Sequence, residues 1–185
     1  MIAFVPLNES ALDKVLRWRT DPEVTRFLCT DIAPDPEAQL RWFDRIAGDP
    51  SCVHWLIRQD DQDVGLAYLT EIDRQARHCS CGFYIGEPEA RRLGGVILPG
   101  IVNHVFTDLD FLKIWGEVLG GNTNIRKLHD LLGYREVGVF REHVLKAGQR
   151  HDLHLFELMR SDWEERLSFF RQFRIPVLDS GEGAP

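Results

Sequence analysis

The chain predicts an α/β domain built on a central mixed, mostly antiparallel, twisted sheet flanked by helices. Three observations carry this. Strand-like and helix-like stretches follow one another as β-α-α-α-β-β-β-α-β-α-β-β-α, which is not the regular alternation of a parallel βαβ sheet. Short polar connections join the three middle strands into a meander. The 185 residues suit one domain, and 44% hydrophobic with 28% charged residues is an ordinary globular composition needing no staple.

Ile2 to Pro6 reads as a short strand. Leu12, Val15, Leu16 and Trp18 then recur at helical spacing, with Asn8 or Ser10 as N-cap, and the helix stops at Thr20-Asp21-Pro22. A second helix runs from Pro22 to about Leu28, and a third opens at Pro34-Asp35-Pro36-Glu37 and ends at Gly48-Asp49-Pro50. Cys52 to Arg58 and Val64 to Ile72 form two strands around the polar tract 59–63, and a third strand runs from His78 or Cys79 to Ile85. Beyond Gly94-Gly95 the residues Val96, Ile97, Ile101, Val102, Val105 and Phe106 mark a helix. Leu112 to Leu119 is a strand, and Asn124 to Leu132 a helix closed by Gly133. A hairpin of Tyr134 to Val144 and His151 to Met159 precedes a last helix at Ser161, which Ser161 and Glu164 would cap. One domain over 1–175 and a disordered tail over 176–185 are expected.

The net charge of -7 argues against broad nucleic-acid binding, which needs a basic surface. The first residues carry no basic, apolar leader pattern and no apolar run reaches 18 residues, so a cytoplasmic location without membrane contact is expected. Cys29, Cys52, Cys79 and Cys81 have no framework spacing. His78-Cys79-Ser80-Cys81 and His151-Asp152-Leu153-His154 lack a second ligand pair, so reduced thiols and strand histidines are expected and no metal.

Arg91-Arg92-Leu93-Gly94-Gly95-Val96 lies between a strand and a helix. Successive N–H groups at a helix start cradle an anion, glycines admit close approach, and two arginines add charge. Taken alone, the stretch reads equally as a plain helix N-terminus with solvated arginines. It is neither a P-loop nor a dinucleotide fingerprint.

Together with a second motif, this turn resembles the GNAT acetyltransferases over about residues 1–165. Arg91-x-x-Gly94-x-Val96 is similar to their Arg/Gln-x-x-Gly-x-Gly/Ala pyrophosphate turn, with Val96 where the family has a small residue. Asn122-x-x-Ile125-x-x-Leu128-His129-x-x-Leu132-Gly133-Tyr134 resembles their Asn-x-x-(Ala/Ser)-x-x-Leu-Tyr-x-x-x-Gly-Phe signature, with His129 in the place of the tyrosine. Trp18-Arg19-Thr20-Asp21-Pro22 and the Gly-Gly pair look like the sugar-nucleotide amine acetyltransferases of pseudaminic-acid synthesis, and the Trp-Arg opening is shared with ribosomal-protein N-terminal acetyltransferases.

The resemblance implies direct attack of a primary amine, most closely that of an amino sugar nucleotide, on acetyl-CoA. Other acceptors in view are a protein N-terminus, an aminoglycoside or a small amine, and a non-catalytic acyl-CoA-binding module is the remaining alternative. The backbone of Phe83, Tyr84 and Ile85 would pair with the pantetheine, Arg91 to Val96 would hold the pyrophosphate, and Asn122 would orient the cofactor or a water. Glu71 stands where a base is common, or is a solvent-facing strand-end residue. His129 would donate a proton to the departing thiolate, or pack beneath the pantetheine. Trp18, Trp42, Trp55 and Trp115 read as core anchors, with Trp18 and Arg19 as alternative acceptor-pocket residues. The apolar residues Phe156, Leu158 and Phe169 suggest a possible homodimer surface.

Overall fold

A computed structural model describes residues 1–178, and these form one seven-stranded sheet with helices on both faces. In chain order the elements are β1 (Ile2–Pro6), α1 (Leu12–Thr20), α2 (Pro22–Thr25), α3 (Pro36–Ala47), β2 (Val53–Gln59), β3 (Gln62–Asp73) and β4 (His78–Ile85). They continue as α4 (Gly94–Asn103), β5 (Lys113–Leu119), α5 (Thr123–Leu132), β6 (Arg135–Lys146), β7 (Gln149–Met159), α6 (Arg160–Glu165) and α7 (Leu167–Phe170). The strand order is β1-β2-β3-β4-β5-β7-β6. Every neighbouring pair is antiparallel except β4 and β5, which run parallel because α4 crosses over between them.

Strand alternation divides the core in two. On β2, Ile57 faces a large cluster with Leu69, Ile97, Phe106, Ile114 and Leu158, while adjacent Leu56 faces a smaller one with Val15, Trp18, Leu66 and Tyr84. The apolar helix α4 lies across the first face, and α1 across the second. Aspartates cap the helices where the sequence supplies them. The Asp21 carboxylate accepts from Glu23 N at 2.9 Å, and that of Asp35 from Glu37 N and Ala38 N at 3.0 and 3.1 Å.

Several expectations need correction. Neither Asn8 nor Ser10 caps α1. A 3₁₀ turn over Glu9–Ala11 leads into it, and the Ser10 hydroxyl instead donates to the Asn8 side chain. The helix after β7 begins one residue before Ser161, and the Asp162 carboxylate, accepting from Met159 N, performs the expected capping. The apolar helix does not run unbroken through Phe106, since α4 widens into a π turn over His104–Asp108. Phe156 and Leu158 are core residues on β7, and Phe169 is partly buried against the same cluster. Residues 176–178, assigned to the tail, lie along β1: Phe4 N donates to Pro176 O and Leu178 N to Phe4 O. The rest of the expected tail, 179–185, lies outside the described residues. Among those residues, no helix is long and apolar enough to cross a membrane.

Candidate active site

The sheet opens in its middle. β4 and β5 pair only through His78–Lys113, Cys79–Ile114 and Ser80–Trp115. Both strands continue, to Ile85 and Leu119, without meeting again. Each is held from its other side, β4 by β3 through Gly65–Ile85 and Ala67–Phe83, and β5 by β7 through Leu119–Leu153. The result is a wedge whose β4 edge is open over Cys81–Ile85, where the sequence places backbone pairing with an extended ligand. A cavity of about 120 Å³ fills it, lined by Phe83, Gly116, Asn122, Ile125, His129 and Tyr134 among others.

At the wedge mouth a 3₁₀ turn over Pro88–Leu93 delivers the chain into α4. Leu93, the N-cap residue, supplies no side-chain cap. A Cβ on Gly95 would meet nothing within 4 Å, and one on Gly94 would only touch the Phe83 ring at 3.4 Å. Internal packing therefore does not explain these two glycines. An uncapped helix start with open space over its backbone fits a phosphate group. Arg91 is exposed and reaches Asp21 and Glu23 of the α2 segment at 3.9 and 3.7 Å. Arg92 is exposed beside it and enters no ion pair among the described residues. Leu93 and Val96 are partly buried against the core, and neither lines the wedge cavity.

His129 sits on α5 at the back of the wedge, 7% exposed. Its ring stacks on Tyr134 at 4.3 Å and meets Phe156 edge-on at 4.8 Å, and its Nδ1 is buried without a partner. Burial depresses its pKa to about 4, so the ring is neutral at neutral pH. Of the roles the sequence leaves open for His129, a neutral ring is compatible with an N–H hydrogen bond to sulfur and with packing beneath the pantetheine. The Asn122 side-chain oxygen accepts from Ile125 N at 3.3 Å, so this residue caps α5 while bordering the wedge.

A second cavity of about 640 Å³ lies on the α1 side of the sheet, walled by α1, the 26–35 segment, α3 and the strands β2 to β5. Its aromatic wall is a run of three rings, with His54 edge-on to Trp42 at 5.3 Å and stacked on Tyr68 at 5.7 Å. Burial holds the His54 pKa down at about 4, so this wall is uncharged. Arg19 and Arg45 border the cavity, with the carboxylates of Asp35, Glu71 and Glu117. The Arg19 guanidinium donates to the Thr30 hydroxyl at 3.0 Å and the Thr30 carbonyl at 3.3 Å, tying α1 to the 26–35 segment.

Two of the four tryptophans expected as core anchors lie elsewhere, and the alternative pocket role of Trp18 is not met. Trp18 is 2% exposed, packs against Gly86, donates from Nε1 to Glu87 at 2.9 Å and does not border the cavity. It is a core residue, whereas Trp42 and Trp115, expected in the core, line the cavity. Trp55 is in the core as expected. Tyr84 offers its backbone to the wedge side of the sheet, but alternation sends its side chain into the α1 cavity. Glu71 lies in an irregularity of β3 with φ of +49°, exposed at that cavity's edge.

Sequence reasoning missed Tyr68, Cys81, Glu117 and Tyr134. The Cys81 thiol lies 3.9 Å from the Tyr134 hydroxyl, and burial pushes the thiol up to about 12 and the phenol well above its ordinary value. Neither is a ready nucleophile at neutral pH. Period-two alternation from Trp115 would have found Glu117, once Trp115 was known to face the cavity.

Comparisons with known proteins agree with this architecture. The family model described as an acetyltransferase (GNAT) domain matches residues 2–135. The acetyltransferase PseH of Campylobacter jejuni is 25% identical over 126 residues, covering 68% of this chain and 78% of PseH. An uncharacterized N-acetyltransferase of Bacillus licheniformis, p20, is 20% identical over 157 residues, covering 82% and 88%. The crystal structure of a Vibrio cholerae spermidine N-acetyltransferase, in complex with CoA and spermine, superposes with a TM-score of 0.80 at 17% identity, covering 88% of this chain and 98% of the other. At that identity the superposition speaks for the shared fold. The family match spans well over half of the chain, which therefore belongs to the GNAT acetyltransferases.

Proposed function

We propose that this GNAT acetyltransferase moves the acetyl group of acetyl-CoA to the primary amine of an amino sugar nucleotide, by direct attack in a ternary complex. One observation carries the reading: a wedge with an open strand edge and an uncapped, glycine-faced helix start shares a wall with a larger cavity lined by aromatic rings and arginines. Acetyl-CoA supplies an acyl carbon already activated as a thioester. Around it, the open edge over Phe83, Tyr84 and Ile85 takes the pantetheine amides. The backbone from Arg91 to Val96, with Arg91 and Arg92, takes the pyrophosphate. Asn122 steadies the start of α5 beside the wedge.

In the larger cavity, Trp42, His54 and Tyr68 offer flat apolar surface to a sugar ring or base, and Arg19 and Arg45 offer charge to phosphates. His129 acts as a neutral N–H donor toward sulfur. The thiolate then takes its proton from the nitrogen that has attacked, since an imidazole with a pKa of about 4 holds none to give at neutral pH. Glu71, at the outer edge, is one candidate to receive a proton from the incoming ammonium.

A polyamine acceptor is the second reading, favoured by the carboxylates of Asp35, Glu71 and Glu117 at the same cavity. Thiol release from acetyl-CoA, measured with a UDP-4-amino sugar, spermidine and an N-terminal peptide, separates the readings. The sugar nucleotide should give the highest kcat/KM. Preference for spermidine would reverse the order, and thiol release with none of the three would remove the enzymatic reading.

A further inference from the structure

The larger cavity has a chemically distinct end beside α1, where Arg19, Tyr68 and Tyr84 all border it. Strand register lays out its floor: Leu66 pairs with Tyr84, Tyr68 with Gly82 and Thr70 with Ser80. Tyr68 reaches across to β4 because Gly82 has no side chain, and a Cβ there would collide with the Tyr68 hydroxyl. The two phenols therefore occupy neighbouring rows of one sheet face, Tyr68 over Gly82 and Tyr84 two residues along. Helix α1 walls this end. Val15 packs in one cluster with Tyr84, and Arg19, four residues on, follows on the same helix face.

Hydrogen bonding at this end is incomplete. Tyr84 is 7% exposed, and its hydroxyl is buried with no hydrogen-bond partner among the described residues. A phenol buried in that way costs stability that phenylalanine would not, so packing alone does not account for the hydroxyl. Arg19 donates to Thr30 and enters no ion pair among the described residues, which leaves its charge uncompensated. Burial pushes both phenols above their ordinary pKa despite the nearby Arg19 guanidinium, so each is a donor at neutral pH. The cavity's carboxylates stand elsewhere. Glu71 follows Thr70, whose partner Ser80 is about 13 Å from Tyr84 along β4. Asp35 caps α3, and Glu117 lies on β5 across the opening from β4. A guanidinium and two phenolic donors facing one space suit an anionic oxygen group.

We propose that Arg19, Tyr68 and Tyr84 form an oxyanion subsite that seats a phosphate of the acceptor, with Tyr84 as its specificity-determining residue. This rests on the amino sugar nucleotide reading above and deepens it. The guanidinium supplies charge, the Tyr84 hydroxyl donates its unused O–H to a phosphate oxygen, and Tyr68 donates beside it. Tyr68 also borders the wedge, so an acceptor anchored here can extend its amine toward the wall the two cavities share. A polyamine would set an ammonium against a guanidinium and leave the Tyr84 donor unmatched. The subsite thus selects for phosphate and against polycations.

Two measurements test the subsite: calorimetric binding of UDP and of uridine, and kcat/KM of thiol release with a UDP-4-amino sugar against the same amino sugar without its nucleotide. Tyr84→Phe should weaken UDP binding about tenfold, and Arg19→Gln roughly a hundredfold. The kcat/KM ratio between the two acceptors should fall by similar factors, through acceptor KM rather than kcat, with acetyl-CoA affinity retained. Tyr84→Phe should also melt at the wild-type Tm or above it, because the free enzyme loses an unpartnered hydroxyl. A purely structural phenol would instead lower Tm and spare the ratio. Three results would overturn the assignment: UDP affinity unchanged in Tyr84→Phe, an unchanged acceptor ratio, or a wild type that binds UDP no better than uridine. Should wild type acetylate neither sugar, the acceptor reading fails, while UDP binding still decides the subsite.

Discussion

The wedge and the larger cavity share a wall but are built by different means. The wedge is made largely of backbone: an unpaired strand edge, an uncapped helix start and glycines whose missing side chains leave room. The larger cavity is made of side chains drawn from α1, the 26–35 segment, α3 and four strands. Backbone recognition demands particular residues at fixed spacing, whereas a side-chain cavity can be lined in many ways. The first part of the site is therefore suited to a ligand common to a whole family, and the second to a ligand particular to this chain.

Four substitutions sharpen or break this contrast, beginning with the largest effect. Gly95→Asp adds a side chain where 4 Å around the Cβ position is empty and sets a negative charge at the helix start. Acetyl-CoA affinity should fall by roughly a hundredfold, with Tm nearly unchanged. Calorimetric titration with CoA checks it, and unaltered affinity would remove the phosphate site from α4. Trp42→Ala should raise the acceptor KM by about tenfold while the acetyl-CoA KM stays put. If both KM values rise together, the two cavities do not divide the substrates as described.

A smaller effect is expected from His129→Phe, which keeps a ring against Tyr134 and Phe156 but removes the N–H. Turnover should fall about fivefold with acetyl-CoA affinity spared, and unchanged kcat would leave His129 a packing residue. The same variant tests the protonation state. With its folded pKa near 4, below the unfolded value of 6.5, His129 binds its proton more readily in the unfolded chain. Stability is then fully present above pH 6.5 and lost as pH falls from 6.5 through 4. Chemical denaturation across that window should show a shallower loss in His129→Phe, and His54, similarly depressed, should account for part of the remainder. Smallest is Trp18→Phe, which removes the Nε1 bond to Glu87 and should cost about 1 kcal/mol of stability with kinetics unaffected. A change in acceptor KM would return Trp18 to the acceptor pocket.

The same division explains what could be read from the sequence. The strands in chain order and the two connections of the middle meander followed from alternation and polar turns, and the strand boundaries moved by a residue or two. Arg91 to Gly95 and Asn122 to His129 were legible because backbone geometry constrains them. The opening between β4 and β5 was expected only through the resemblance, since no local pattern says where two parallel strands cease to pair. The cavity lining was largely illegible. An apolar ring at helical or strand spacing looks the same whether it faces a core or a hollow, which is why Trp42 and Trp115, read as core anchors, line the cavity instead. Burial also depends on the whole fold, so the fully buried Leu158 looked like an available surface, and His129 looked like a group with an ordinary pKa.

The central claim is that acetyl-CoA in the wedge meets an amine from the larger cavity across their shared wall. Thiol release from acetyl-CoA, with both substrates varied against each other, tests it most directly. The account predicts intersecting initial-velocity lines, turnover dependent on both ligands, and no acetylated enzyme in the absence of amine by intact-protein mass spectrometry. Parallel lines with an acetyl group carried on the chain, or CoA binding without turnover on any amine, would contradict it.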